Sequence, residues 1–127
     1  MKKRILFVDD DIAILDSFKI LLESEGFEVE TDSSGDTISE LVKRKVKPDL
    51  ILMDVLLSGT DGRDLTRFIK ENNAVKHIPV ILLSAHSSLS GMANKFGNED
   101  FLEKPFDIDI LIDKINKLIK KTEHRAG

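Results

Sequence analysis

Residues 50–54 read Leu50-Ile51-Leu52-Met53-Asp54, four apolar side chains in unbroken succession and then a carboxylate. A strand with one wet face alternates apolar and polar residues, so an unbroken run marks a strand covered on both faces, as in the centre of a parallel sheet. Two further runs have the same form. Ile5-Leu6-Phe7-Val8 stops on Asp9-Asp10-Asp11, and Val80-Ile81-Leu82-Leu83, introduced by Pro79, stops on Ser84. Phe27-Glu28-Val29-Glu30-Thr31 alternates instead, which suits a strand nearer an edge, and the short Phe101-Leu102-Glu103 precedes Lys104-Pro105.

Between these strands the apolar period changes to that of a helix. Ile12, Leu15, Phe18 (with Ile14 alongside), Leu21 and Leu22 mark a first helix, closed by Gly26 as C-cap. The turn Ser33-Ser34-Gly35-Asp36 opens a second, with Ile38, Leu41 and Val42, and Lys47-Pro48 ends it because the residue before proline disfavours helical geometry. After the loop Ser58-Gly59-Thr60-Asp61-Gly62, Leu65, Phe68 and Ile69 define a third. Over 87–97, Leu89, Met92, Ala93 and Phe96 share one face of a fourth, which Gly91 weakens by about 1 kcal/mol relative to alanine. Ile108, Leu111, Ile112, Ile115, Leu118 and Ile119 give the last helix its stripe. Five strands and five helices in strict alternation predict an α/β fold, a (βα)5 doubly wound five-stranded parallel sheet with helices on both faces and right-handed crossovers.

Composition bounds the rest. The 127 residues, 41% hydrophobic and 33% charged, fit one globular domain over residues 1–122, with 123–127 expected as a disordered tail. The absence of cysteine excludes disulfides and thiolate metal sites and suits a reducing compartment. The basic start Met1-Lys2-Lys3-Arg4 is followed by an apolar run far too short for a signal peptide, and no stretch approaches the roughly 18 apolar residues of a membrane span. A cytoplasmic location is therefore expected, with no membrane partner. A net charge of −4, with basic residues spread along the chain, argues against nucleic acid as a partner.

The predicted sheet gathers Asp9, Asp10, Asp54, Ser84 and Lys104 at the carboxyl ends of its strands, where sites in such sheets lie. Two unit charges 4 Å apart repel by about 4 kcal/mol at an effective dielectric of 20, so clustered carboxylates require a positive counterpart. Lys104 supplies one charge and a divalent cation can supply more. With only oxygen donors at hand, Mg²⁺ suits the set better than zinc. An aspartate can act as a nucleophile and form an acyl phosphate, while a hydroxyl and an ammonium bind phosphoryl oxygens. Taken singly, acidic residues after strands are caps, a serine at a strand end is a turn former and a lysine before proline is solvated. Their joint placement at one edge is what those roles leave unexplained.

These residues resemble the response-regulator receiver domains of two-component signalling. The resemblance rests on five segments: residues 5–11, Pro48-Asp49 with the run to Asp54, the Asp61-Gly62 turn, Ile78-Pro79 with the run to Ser84-Ala85, and Asp100 to Phe106. It covers almost the whole chain and implies the flavodoxin-like strand order 2-1-3-4-5. It implies that Asp54 is the phosphoacceptor, Asp10 a direct Mg²⁺ ligand, Asp9 a partner acting through water, and Leu56 a backbone carbonyl ligand. Ser84 takes the place of the switch hydroxyl, Lys104 that of the lysine pairing with the phosphoryl group, and Phe101 that of the aromatic switch. A cis Lys104-Pro105 bond is implied too.

The implied phosphodonor is a histidine kinase or a histidine phosphotransfer protein. An effector protein or a second copy would meet the surface of the fourth helix, fifth strand and fifth helix. A complete single-domain regulator is the simpler expectation, over a receiver module cut from a larger hybrid kinase or regulator. The chain departs from the family in three places. Ser58 stands where proline is usual, which implies a looser loop. The stretch from Ser84 to Lys104 is shorter than usual, and Phe101 has no tyrosine hydroxyl.

Three other readings compete. A haloacid-dehalogenase-type phosphatase also uses an aspartyl phosphate, Mg²⁺ and a lysine, but needs an aspartate two residues after its nucleophile, where this chain has Leu56. A flavin-binding module needs a phosphate-cradling loop after the first strand, where three aspartates would repel the ligand. An unphosphorylated pseudo-receiver would have lost an acidic residue or the lysine, and all are present. His86 stands two positions after Ser84 and is expected as a solvated loop residue, as are His77 and His124. Phe96 and Phe106 are expected in the core or on a partner surface.

Overall fold

The computed structural model describes residues 2–85 and 97–126, with side chains as far as residue 123. In chain order it comprises β1 (Arg4–Val8), α1 (Ile12–Ser24), β2 (Glu28–Asp32), α2 (Thr37–Glu40) with a 3₁₀ turn (Leu41–Lys43), and β3 (Leu50–Asp54). There follow β4 (Leu56–Leu57), β5 (Thr60–Asp61), α3 (Gly62–Glu71), β6 (Val80–Ser84), β7 (Asp100–Glu103) and α4 (Ile108–Ala126). The five long strands form one parallel sheet in the order β2-β1-β3-β6-β7, the 2-1-3-4-5 order of the expected fold.

Each unbroken run forms a strand buried on both faces because its alternate side chains feed two separate cores. Ile5, Phe7, Leu50, Leu52, Ile81 and Leu83 pack with Leu15 and Leu22 of α1 and Leu111, Ile115 and Ile119 of α4. Leu6, Val8, Ile51, Met53, Val80 and Leu82 pack with Ile38, Leu41, Ile69 and Val75 on the other side. Register is therefore unambiguous, since a one-residue slip would exchange the two sets. Ile51 lies between Leu6 and Val80.

Several elements differ from expectation. The second helix is a single turn plus a 3₁₀ turn, ending where Arg44 is extended, well short of Lys47. Asp36 makes no side-chain capping bond there; Ile38 and Leu41 are fully buried, and Val42 packs partly buried against the same core. Arg44 instead forms a two-pronged bond to Glu30, both distances 2.8 Å. In α1 the buried stripe is Leu15 and Leu22 with Ile14 and Phe18 against it, which leaves Ile12 and Leu21 off the stripe and 60% and 41% exposed. The last helix runs past the expected boundary at Thr122 to Ala126. Thr122 donates to the Leu118 carbonyl, and Glu123 pairs with Lys3 ahead of β1. The helix expected over 87–97 lies outside the described residues except for Gly97.

One ionic clasp joins three elements. Lys70 at the end of α3 donates to the Ile78 carbonyl at 2.7 Å and pairs with Glu99 at 2.8 Å, and Glu99 also accepts from the Val80 amide at 2.7 Å. It fixes the start of β6 against the approach to β7.

The junction of β3 with α3 is tighter still. The Gly62 amide donates to the Val55 carbonyl at 2.7 Å, and a Cβ on Gly62 would stand 2.1 Å from the Asp54 carbonyl oxygen. No flexible side chain can yield there, because the opposing atoms are backbone. Gly62→Ala should cost about 3 kcal/mol, the upper end for overpacking. Urea unfolding checks this, and an unchanged midpoint would mean that the junction opens freely.

Candidate functional site

The strand ends assemble the site by register. Val8 pairs with Met53, so Asp9 follows at the level of Asp54. Asp54 pairs with Leu83 and Ser84 with Glu103, so Lys104 emerges just beyond Ser84. The Lys104 amide donates to the Ser84 carbonyl at 2.7 Å, and the Lys104-Pro105 bond is cis. Carboxylate oxygens of Asp9, Asp10 and Asp54 lie within 4.8 Å of one another.

These carboxylates are held differently. Asp9 is fully buried; its Oδ1 accepts from the Asp11 amide at 2.9 Å and its Oδ2 from Lys104 Nζ at 2.7 Å. Asp54 is 8% exposed and shares the same ammonium at 3.4 Å, with a weak contact from the Leu56 amide, also at 3.4 Å. Asp10 is exposed and accepts from Ser58 Oγ at 2.9 Å. Asp11 caps α1 by accepting from the Ile14 amide, which turns the chain away after the acidic pair. Ser84 is buried at the end of β6.

Electrostatics follow from this packing. Burial pushes the Asp54 carboxyl above its usual range, the neighbouring Asp9 charge adds to the effect, and Lys104 opposes it. For Lys104, burial favours the neutral amine, but the bond to Asp9 and the charges of Asp9 and Asp54 outweigh it and raise its pKa. Among the described residues, three carboxylates stand against one ammonium, with hard oxygen donors converging from two strand ends. That donor set fits a small divalent cation such as Mg²⁺.

The sequence matches the response regulator receiver domain family over residues 5–116. The chain belongs to that family. Among the relatives of this receiver, the transcriptional regulatory protein CseB of Streptomyces coelicolor is 35% identical over 97% of the chain and 52% of its own length. The DNA-binding dual master transcriptional regulator RpaA of Synechocystis is 31% identical over 94% of the chain and 50% of its own length. The receiver thus spans about half the length of these relatives. A CheY-like receiver domain protein from Methanospirillum hungatei superposes with a TM-score of 0.87 at 30% identity, covering 98% of this chain and 99% of that one. The response regulator TrrA of Thermotoga maritima, solved in complex with Mg²⁺-BeF, has a TM-score of 0.77 at 30% identity, with 91% and 98% coverage.

Among the described residues, the structure brings together Asp9, Asp10, Asp54 and Lys104, all named from the sequence, with Ser84 at the adjoining strand end; Ser58 was expected only to loosen its loop. The loop expected to be loose is a hairpin, β4 with β5, whose tip carries the hydroxyl that meets Asp10. No local pattern signals that contact, because the partners are 48 residues apart. Leu56 is half exposed, its amide turned to Asp54. Phe101 on β7 is partly buried against the second core. Phe106 packs on Phe18 with ring centres 5.1 Å apart. His77 is exposed, whereas His86, Phe96 and the His124 side chain lie outside the described residues.

A raised carboxyl pKa has a definite sign. Between the ordinary carboxylate range and the raised value, the folded receiver holds a proton that the unfolded chain has lost, so stability from this group falls as pH rises through that window. Asp54→Asn should therefore raise the thermal midpoint of the metal-free receiver at neutral pH by a few degrees, the scale on which about 1 kcal/mol shows in a small domain. The gain should shrink toward acid pH. Calorimetry across pH measures it, and equal midpoints at neutral pH would contradict the assigned burial cost.

Proposed function

We propose that this receiver accepts a phosphoryl group on Asp54 from a phosphohistidine of a histidine kinase or phosphotransfer protein, with Mg²⁺ held by Asp9, Asp10, Asp54 and the Leu56 carbonyl. The observation that carries the reading is the convergence of three carboxylates within 4.8 Å on a lysine that reaches two of them. An Asp54 oxygen forms the new bond to phosphorus as the bond from phosphorus to the donor imidazole breaks, and the imidazole nitrogen keeps the electron pair. Lys104 offers its ammonium to one phosphoryl oxygen, and Ser84, at the adjoining strand end, its hydroxyl to another. A bound Mg²⁺ would supply positive charge against the remaining phosphoryl oxygens.

Beside the cluster, Ile14, Phe18, Ala85, Pro105 and Phe106 line an apolar groove of about 340 Å³ to which Lys104 also contributes, which suits the docking of a phosphodonor protein. The output surface includes β7 and α4, where Phe101 responds to Ser84, and an effector or second copy meets it; the fourth helix expected to share it lies outside the described residues. The domain assists its own phosphorylation and dephosphorylation and turns over no external substrate. Leu56 carries no acid for a leaving group, which weighs against the phosphatase reading. No helix among the described residues is long and apolar enough to cross a membrane, in keeping with action in the cytoplasm.

Incubation with acetyl phosphate and Mg²⁺, followed by intact mass, tests the proposal. Wild type should gain one phosphoryl group, and neither Asp54→Asn nor chelator-treated protein should gain any. A modified Asp54→Asn chain would place the acceptor elsewhere. Mg²⁺ should also raise the thermal midpoint of wild type by mass action, and chelation should reverse the rise.

A further inference from the structure

We propose that Ser58 is a positioning residue for Asp10, holding that carboxylate in the orientation in which it binds the divalent cation; the inference rests on the metal reading above. Asp9 is fixed through both oxygens and Asp54 through the shared ammonium. Asp10 is exposed, and among the described residues its one hydrogen bond comes from Ser58 Oγ to Oδ2 at 2.9 Å. Without that bond an exposed aspartate is free to change rotamer and swing into solvent, and the cost of ordering it falls on cation binding. With the bond, Oδ2 is tethered and Oδ1 is left for the cation.

The serine is itself held in place. Pairing of Leu56 with Asp61 and Leu57 with Thr60 makes Ser58-Gly59 the two-residue tip of the hairpin, and Gly59 takes the left-handed conformation there, with φ 75°. Asp61 anchors the far strand by capping α3 through the Arg63 amide at 2.8 Å. The hydroxyl is thus delivered by a braced turn from one loop to a ligand on another. A proline at this position would carry no hydroxyl, so in this chain the substitution exchanges a stiff ring for an outer contact to the metal ligand.

Outer contacts of this kind are typically worth 10–100-fold in metal affinity. Both partners here are open to water, which sets the expectation at about 10-fold, the low end of that range. Calorimetric titration of Mg²⁺ into the metal-free chain, for wild type, Ser58→Ala and Ser58→Thr, tests it alongside their metal-free thermal midpoints. Ser58→Ala should bind about 10-fold more weakly, Ser58→Thr should bind like wild type, and all three should melt together without metal. Equal affinity of Ser58→Ala and wild type would overturn the proposal. So would equal weakening by both variants, or a loss of affinity that tracks a lowered metal-free midpoint, since either would mark a structural role. A wild type that takes up no Mg²⁺ would fail the functional reading itself and remove the basis of this one.

Discussion

The fully buried Asp9 carboxylate requires a positive partner, and among the described residues Lys104 alone pairs with it. An uncompensated charge in that position would cost several kcal/mol, so the fold must deliver Lys104 to it. Lys104 comes from the far end of the chain and from a strand separated from β1 by β3 and β6. The long lysine stem spans that gap, passing the end of β6 where Ser84 sits, and reaches Asp54 on the way. One ammonium thus ties the first, third and last of the principal strands at their carboxyl ends. That single charge stands against three carboxylates, an excess of negative charge that suits a divalent cation.

Everything that makes this pole polar depends on the body of the sheet being apolar. β1, β3 and β6 are buried on both faces, so their ends are held in register by two cores instead of one, and Asp9, Asp54 and Ser84 inherit that precision. Gly62 extends the same order into the following loop, because only a residue without a side chain lets α3 begin against the Asp54 carbonyl. The hairpin between them is short and braced at both ends, by the turn at Gly59 and by the cap at Asp61.

The central strands were legible because each is written in consecutive residues, and the acidic cluster because its aspartates directly follow two of those runs. Leu50 to Asp54 is apolar until it ends in charge, the form of a strand covered on both faces. The second helix was less so. Ile38, Leu41 and Val42 carry the right spacing, but the absence of a capping bond at Asp36 and the attraction of Arg44 to Glu30 are tertiary facts. Ile12 and Leu21 misled for a related reason: a helical period tells which residues could share a face, while the sheet chooses which face it takes. The Ser58 contact was beyond reach, since it joins two loops whose proximity is a product of the whole topology.

Lys3, just ahead of β1, pairs with Glu123 near the end of α4. The two chain ends are therefore drawn together at the amino-terminal edge of the sheet, the pole opposite the aspartates. Anything fused to either end, whether an affinity tag or a second folded unit, would hang from the base of the molecule and leave the mouth of the acidic cleft clear.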